Sequence, residues 1–293
     1  MASLAKTIVG TGLTSGLGFE ALKQLLEQAQ PYKIILGARN TSSTQAAIDG
    51  LQFDKAASGT TVLPLDLSDL KGVKSFAEQT LAKLGQTKID YLLLNAAITN
   101  SAEKPGPNGS KWCEAYIVNH LSQHYLVHLL REKLVESKSR IVFVSSGAIR
   151  SVPDTSVLDN DLKGGSGVGG RTIYPESKFT QLLGAHWWRR HLAGTNDVVA
   201  VSPGLIPGTG LGRGNGMTLS TDMPDAKSVP EGAQSILRAL TRTDIPEDPE
   251  RIFLTSWGEW WEKSVYENSL DKSLQDKWSP SKEEIEKEEG ILA

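Results

Sequence analysis

The chain has 293 residues, 39% of them hydrophobic and 22% charged, a balance that supports a sizeable buried core and excludes a disordered or collagen-like chain. Lys and Arg number 31 against 34 Asp and Glu, leaving a formal charge of −3, without the basic footprint of a nucleic-acid or anionic-membrane binder. The single cysteine, Cys113, has no intrachain disulfide partner, and no apolar run reaches the length of a membrane span or a secretory leader. The chain therefore reads as cytoplasmic, with a small molecule as partner, no nucleic acid, no integral membrane segment, and a homodimer left open.

Short β-branched, apolar runs at 6–10, 33–36, 60–65, 89–94, 140–144, 198–201 and 251–254 predict seven strands. Segments 17–29, 70–84, 112–136, 174–192 and 229–241 are apolar at helical spacing and long enough for helices. Successive strand-helix-strand units imply an α/β fold, a Rossmann-type doubly wound parallel sheet with helices on both faces. The Gly- and Pro-containing stretches 151–170 and 207–230 read as loops within this alternation. One domain is expected over 1–293, with a core of about 6–255 and a helical extension of about 256–293. In that extension Trp257, Trp260, Trp261, Tyr266 and Trp278 are expected to pack and not to cage a ligand, and 282–289 is expected to be a solvated terminal helix.

The first strand runs into Thr11-Gly12-Leu13-Thr14-Ser15-Gly16-Leu17-Gly18 and then a helix. Three glycines there suit close backbone approach to a pyrophosphate at a helix N-terminus, although glycines at such a turn also permit tight packing alone. The second strand ends Leu36-Gly37-Ala38-Arg39-Asn40, without the acid that would meet an NAD ribose. Arg39 matches a 2′-phosphate, with Ser15 and Asn40 adding hydrogen bonds, so NADP(H) is the expected cofactor; the alternative is a solvated loop arginine. Asp66-Leu67 and Asn95-Ala96-Ala97 follow the third and fourth strands, at the edge where open α/β sheets bind ligands. Asp66 either accepts from an adenine amine or caps the next helix with Ser68 and Asp69.

Tyr174 and Lys178 stand four residues apart and share a helix face. A nearby ammonium stabilises a phenolate and makes proton transfer practical near neutral pH, while the plain alternative is a surface Tyr/Lys pair. Ser146 closes the fifth strand, where a hydroxyl can donate to the oxygen of a carbonyl under reduction. His120, His124 and His128 recur every four residues, but no carboxylate or cysteine completes a ligand set, and packing is the favoured reading over a metal.

Taken together, the Gly-rich turn, Asn95-Ala96-Ala97, Asn119, Ser146 and Tyr174-Pro175-Glu176-Ser177-Lys178 resemble the short-chain dehydrogenase/reductase superfamily over roughly residues 6–209. The resemblance implies Tyr174 as general acid-base, Lys178 on the nicotinamide ribose and lowering the Tyr174 pKa, Ser146 orienting substrate, and Asn119 ordering a relay water. Asn95-Ala96-Ala97, Val118-Asn119-His120-Leu121 and Pro203-Gly204-Leu205-Ile206 followed by Thr209-Gly210-Leu211 look like the retinol-dehydrogenase and protochlorophyllide-reductase branch, which favours NADPH. That adds Pro203, Gly204, Ile206 and Thr209 to the implied cofactor set of Gly12, Thr14, Ser15, Gly16, Leu17, Gly18, Arg39, Asn40, Asp66, Leu67, Asn95, Ala96, Ala97, Tyr174 and Lys178. Gly208 stands where the family has a cofactor-contacting threonine, so Thr209 must reach from one position later.

The expected activity is NADPH-dependent reduction of a ketone or aldehyde on a small hydrophobic or polycyclic metabolite, in a biosynthetic setting. Reduction of an activated C=C bond and a non-catalytic NADP(H)-binding protein are the alternatives. Loops 99–110, 150–172 and 207–228 are expected to rim the substrate, the glycine run 164–170 making the second of them mobile.

Overall fold

A computed structural model describes residues 4–214 and 220–291. Seven strands, β1 (Lys6–Thr11), β2 (Tyr32–Ala38), β3 (Gly59–Pro64), β4 (Tyr91–Leu94), β5 (Arg140–Val144), β6 (Asp197–Val201) and β7 (Phe253–Leu254), pair in parallel in the order β3-β2-β1-β4-β5-β6-β7. The order reverses direction at β1, between β2 and β4, which opens a crevice at the carboxyl edge of the sheet. Side chains alternate strictly between the two faces. Ile141 and Phe143 of β5 join one core and Val142 and Val144 the other, and in β6 Val198 and Ala200 oppose Val199 and Val201 in the same way.

The helices are α1 (Gly16–Leu26), α2 (Thr41–Asp49), α3 (Leu70–Leu84), α4 (Glu114–Tyr116), α5 (Ser122–Ser137), α6 (Leu158–Asp161), α7 (Gly170–His191), α8 (Val229–Thr241), α9 (Lys272–Lys277) and α10 (Lys282–Glu288). Several differ from the sequence expectation: α1 ends at Leu26, three residues short, and α6 forms within the stretch 151–170 expected to be a loop. Between β2 and β3 the sequence predicts no helix, yet α2 forms there, started by the Asn40 side chain accepting from the Ser43 amide. The helix expected over 112–136 is broken by a π turn at Ile117–Leu121. The helix expected from Tyr174 starts one turn earlier, at Gly170, and contains Pro175. Proline has no N–H to donate to the carbonyl four residues back, a cost that is smallest near the start of a helix.

The C-terminal elements dock on α5 and α7. His120 Nε2 meets the Trp278 carbonyl at 2.6 Å, and His124 and His128 Nε2 meet the Pro280 carbonyl at 3.0 and 3.2 Å. His124 Nδ1 also accepts from Trp188 Nε1 at 2.9 Å, so its Nε2 carries the proton and donates. The histidine ladder is thus a set of fasteners, and among the described residues no His, Cys, Asp or Glu cluster could hold a metal ion. α10 is less solvated than its charges imply. Ile285 and Glu286 are buried, and Glu286 accepts from Tyr125 Oη at 2.7 Å. Tyr266 and Trp278 pack in the core as expected, but Trp257 is 56% exposed, with Lys227 Nζ over its ring. Among the described residues no helix is long and apolar enough to cross a membrane.

Candidate active site

The glycine-rich turn leaves β1 at Thr11 and enters α1 at Gly16. Gly12 has φ +68°, and a Cβ there would lie 2.5 Å from Ala96 Cα; at Gly18 it would lie 2.0 Å from the Gly12 carbonyl oxygen. Both positions therefore require glycine on close-packing grounds, whereas Gly16 is favoured by its φ of +53°, a Cβ there meeting only Thr209 at ordinary contact distance. Ser15 and Gly16 are exposed, and Ser15 makes no side-chain cap bond, so the first amides of α1 stand without an intrahelical acceptor. With Thr14 half-exposed beside them, this is a cradle fitted to a phosphate by geometry and dipole.

The turn is held from behind. Asn95 Nδ2 donates to the Gly12 carbonyl at 2.7 Å, and the Asn95 and Ala96 amides donate to Thr11 Oγ1 at 3.1 and 3.3 Å. Asn95 thus braces the turn from behind. Thr11, fully buried, was not singled out by the sequence, nor was Gln123, whose Nε2 donates to the carbonyls of Ala96, Val118 and Asn119. Two of those acceptors belong to the π turn.

Arg39 is exposed and has no carboxylate partner among the described residues, which leaves its guanidinium available to an anion. Asn40 Oδ1 is engaged as the α2 cap, so only the remainder of its amide is free. At the α3 start Asp69 is the cap, while Asp66 accepts from the Ser68 amide and hydroxyl and is exposed. Leu67 is buried, its carbonyl accepting from Ser122 Oγ at 2.5 Å.

After β6, Pro203 is buried and Gly204 takes φ +90° against the Asp225 carbonyl. Ile206 packs where a Cβ on Gly232 would clash, joining this exit to α8. Gly208 has φ +80°, a region costly for threonine. Thr209 instead stands over the phosphate turn, its Cβ 3.6 Å from the position of a Cβ on Gly16.

The π turn carries Asn119 into the interior. Its Oδ1 accepts from the Ile98 amide at 2.8 Å, and its Nδ2 donates to the Ile98 carbonyl and to Ser177 Oγ at 2.9 and 2.8 Å. The side chain is committed to protein partners and braces the β4 exit, beside Ala97, against α7. Ser146 accepts from the Ala148 amide at 3.1 Å, and its hydroxyl neighbours the Tyr174 phenol. Burial raises the Tyr174 pKa above its ordinary value, and that Ser146 contact opposes the rise. Lys178 is 1% exposed, donates to the Val144 carbonyl at 2.8 Å and Gln181 Oε1 at 3.2 Å, and is pushed down to about 7 by burial. The turn, Arg39, Thr209, Ser146, Tyr174 and Lys178 all lie on elements at the carboxyl edge of the sheet.

The rim glycines are tied to a neighbouring loop through their backbone. Gly164, Gly165 and Gly167 amides donate to the carbonyls of Lys111, Lys104 and Ala102, and the Ala102 amide returns a bond to Val168. A Cβ at Gly164 would lie 2.2 Å from the Gly106 nitrogen. Gly164 is therefore glycine so that two rim loops can approach backbone to backbone, while Gly165 and Gly167 take positive φ, at +80° and +82°. The C-terminal segment clamps both, through Ser110 Oγ to Glu289 at 3.0 Å, Lys111 to Glu288 at 3.0 Å, and Lys277 to Asp159. Amide hydrogen exchange should find Gly165 and Gly167 protected in the free protein; exchange at solvent rates would remove this pairing. The third rim segment, 207–228, falls partly outside the described residues, at 215–219.

The profile of the family described as short chain dehydrogenase matches residues 6–156. A short-chain dehydrogenase/reductase of Pestalotiopsis microspora is 58% identical over 288 residues, 97% of this chain and 99% of that one. Retinol dehydrogenase 12 of Mus musculus is 28% identical over 249 residues, 82% of this chain and 74% of that one. Among solved structures, the NADPH-bound carbonyl reductase from chicken fatty liver superposes with TM-score 0.67 at 18% identity, over 88% of this chain and 94% of that one. The carbonyl reductase Sniffer of D. melanogaster gives 0.65 at 16%, over 87% and 98%. The chain belongs to the short-chain dehydrogenase/reductase family and is an oxidoreductase of that class.

Proposed function

We propose that the protein is an NADPH-dependent carbonyl reductase acting on a ketone or aldehyde of a small hydrophobic or polycyclic metabolite in the cytosol, with residues 1–293 working as one catalytic unit. The observation that carries this reading is Tyr174 one helical turn from Lys178 on α7, with Lys178 Nζ held on the Val144 carbonyl at the end of β5, two residues before Ser146. The carbonyl reductase fold neighbours, one of them NADPH-bound, support it.

The α1 amides and Thr209 would hold the pyrophosphate, Arg39 the 2′-phosphate, and Lys178 the nicotinamide ribose. Bound NADPH supplies the hydride. Ser146 donates a hydrogen bond to the substrate oxygen and orients it, and Tyr174 holds the proton at Oη that the oxygen receives. The Lys178 ammonium favours the phenolate left behind. Asn119 and Ser177 keep the β4 exit and α7 in register, so that these groups hold their spacing.

The test is NADPH oxidation against a panel of ketones, aldehydes and enones, with products identified by mass spectrometry; alcohols from the carbonyls are expected, and saturated carbonyls from the enones would overturn the assignment. Cofactor choice is tested at Arg39. If its charge-assisted contact contributes roughly 1.5–3 kcal/mol, Arg39→Ala weakens NADPH about ten- to a hundredfold and leaves NADH nearly unchanged. Equal losses for both would sink the 2′-phosphate role.

A further inference from the structure

Gln181 lies one turn beyond Lys178 on α7, fully buried, and belongs to none of the motifs that mark the site. Its Oε1 accepts from Lys178 Nζ at 3.2 Å, while its Nε2 is buried with no hydrogen-bond partner. A buried amide that leaves its donor unsatisfied is costly, so its acceptor contact is what keeps it there. The ammonium fixes the amide's orientation, since three N–H donors can face Oε1 but not Nε2.

We propose that Gln181 is a positioning residue for Lys178, taking one of its three N–H bonds so that, with the Val144 carbonyl taking another, a single N–H stays free for the active site. The inference rests on the catalytic reading of Lys178. An ammonium carries three donors, and Val144 O and Gln181 Oε1 account for two. With Gln181 removed, two donors become free and the head group is no longer aimed.

The same contact bears on charge. Burial alone lowers the Lys178 pKa, with no neighbouring ionised group contributing, and Tyr174 is the titratable side chain that shares its face of α7. β5 presents the Val144 backbone carbonyl, which does not titrate. Gln181 Oε1 thus supplies, with Val144 O, the local stabilisation of the cation. Losing a hydrogen bond to a charged group lowers the Lys178 pKa by about one unit, and a carboxylate in its place raises it.

The experiment is a pH titration of the free protein carrying lysine labelled with ¹³C at Cε, the Lys178 resonance being identified by its loss in Lys178→Met. Gln181→Met keeps length and apolar bulk without an acceptor, and Gln181→Glu keeps length with a stronger one. The midpoint is expected to fall by about one pH unit in the first and to rise in the second, with NADPH affinity dropping severalfold in the first above pH 7. A midpoint unmoved in both variants, or moved the same way in both, overturns the proposal, and packing loss alone would give no opposite shifts. If the midpoints move as expected but Lys178→Met keeps wild-type turnover, the role of Gln181 toward the ammonium stands and the catalytic reading falls.

Discussion

Tyr174→Phe is expected to bind NADPH with wild-type affinity while its turnover falls roughly 10²- to 10⁴-fold, the range for a lost general acid-base. The phenylalanine ring keeps the packing of the half-buried tyrosine and leaves the Asn119–Ser177 brace untouched, because Ser177 bonds the Tyr174 backbone carbonyl and not its phenol. What disappears is the hydroxyl beside Ser146. Because the proton moves in the transition state, the loss belongs in kcat more than in KM. Lys178→Met should differ by weakening NADPH as well, since its ammonium is assigned to both the ribose and the phenolate. Fluorescence titration of NADPH and steady-state kinetics on the best substrate of the panel separate the two variants. A Tyr174→Phe protein with wild-type turnover would remove the tyrosine from the mechanism.

The strands and the phosphate turn were readable because their signals are local. β-branched alternation marks a strand whatever its neighbours, and Gly12 and Gly18 must be glycine because a backbone lies within 2.5 Å of where a Cβ would be. Tyr174 and Lys178 were readable from a four-residue spacing that any helix places on one face. α2 was not, because Thr41–Asp49 buries only Thr44 and Ile48 and has no apolar stripe to announce it. The π turn was invisible for a different reason. Residues 112–136 keep helical spacing through it, and the carbonyls it frees are met by Gln123, a residue that looks at home on any helix surface.

The rim shows the limit of composition as a guide. A glycine run carries the same letters whether it serves freedom or close approach, and here the partner backbone at Gly106 decides for approach. The charged tail shows the same limit, since the burial of Ile285 and Glu286 depends on α5 offering Tyr125 and the histidine fasteners. Such facts arise from tertiary contact between segments far apart in sequence and leave no local trace.

Glu176 is the largest such surprise, and it yields the strongest stability prediction. It sits between Tyr174 and Lys178 in sequence but faces the rim, 4% exposed, with Oε2 unpartnered. Burial first, and then the neighbouring Asp161 charge, push its carboxyl up to about 8 from an ordinary 4.5. A carboxyl raised in the folded state contributes stability that is fully present below about 4.5 and is lost as pH climbs through about 8. At about 1.4 kcal/mol per pH unit, this interval costs the folded protein up to about 5 kcal/mol. Glu176→Gln has nearly the same shape, donates to Asp161 as the protonated acid does, and never ionises. Relative to wild type it should therefore gain up to about 5 kcal/mol between pH 4.5 and pH 8, roughly 10 °C in melting temperature for a chain of this size. His120 and His186, driven down to about 4 and about 3 by burial, and Lys178 titrate alike in both proteins and cancel in the difference. Thermal unfolding of the pair at pH 5 and pH 8.5 measures it. A melting-temperature gap that stays constant across that range would show that Glu176 is ionised in the folded protein at both ends.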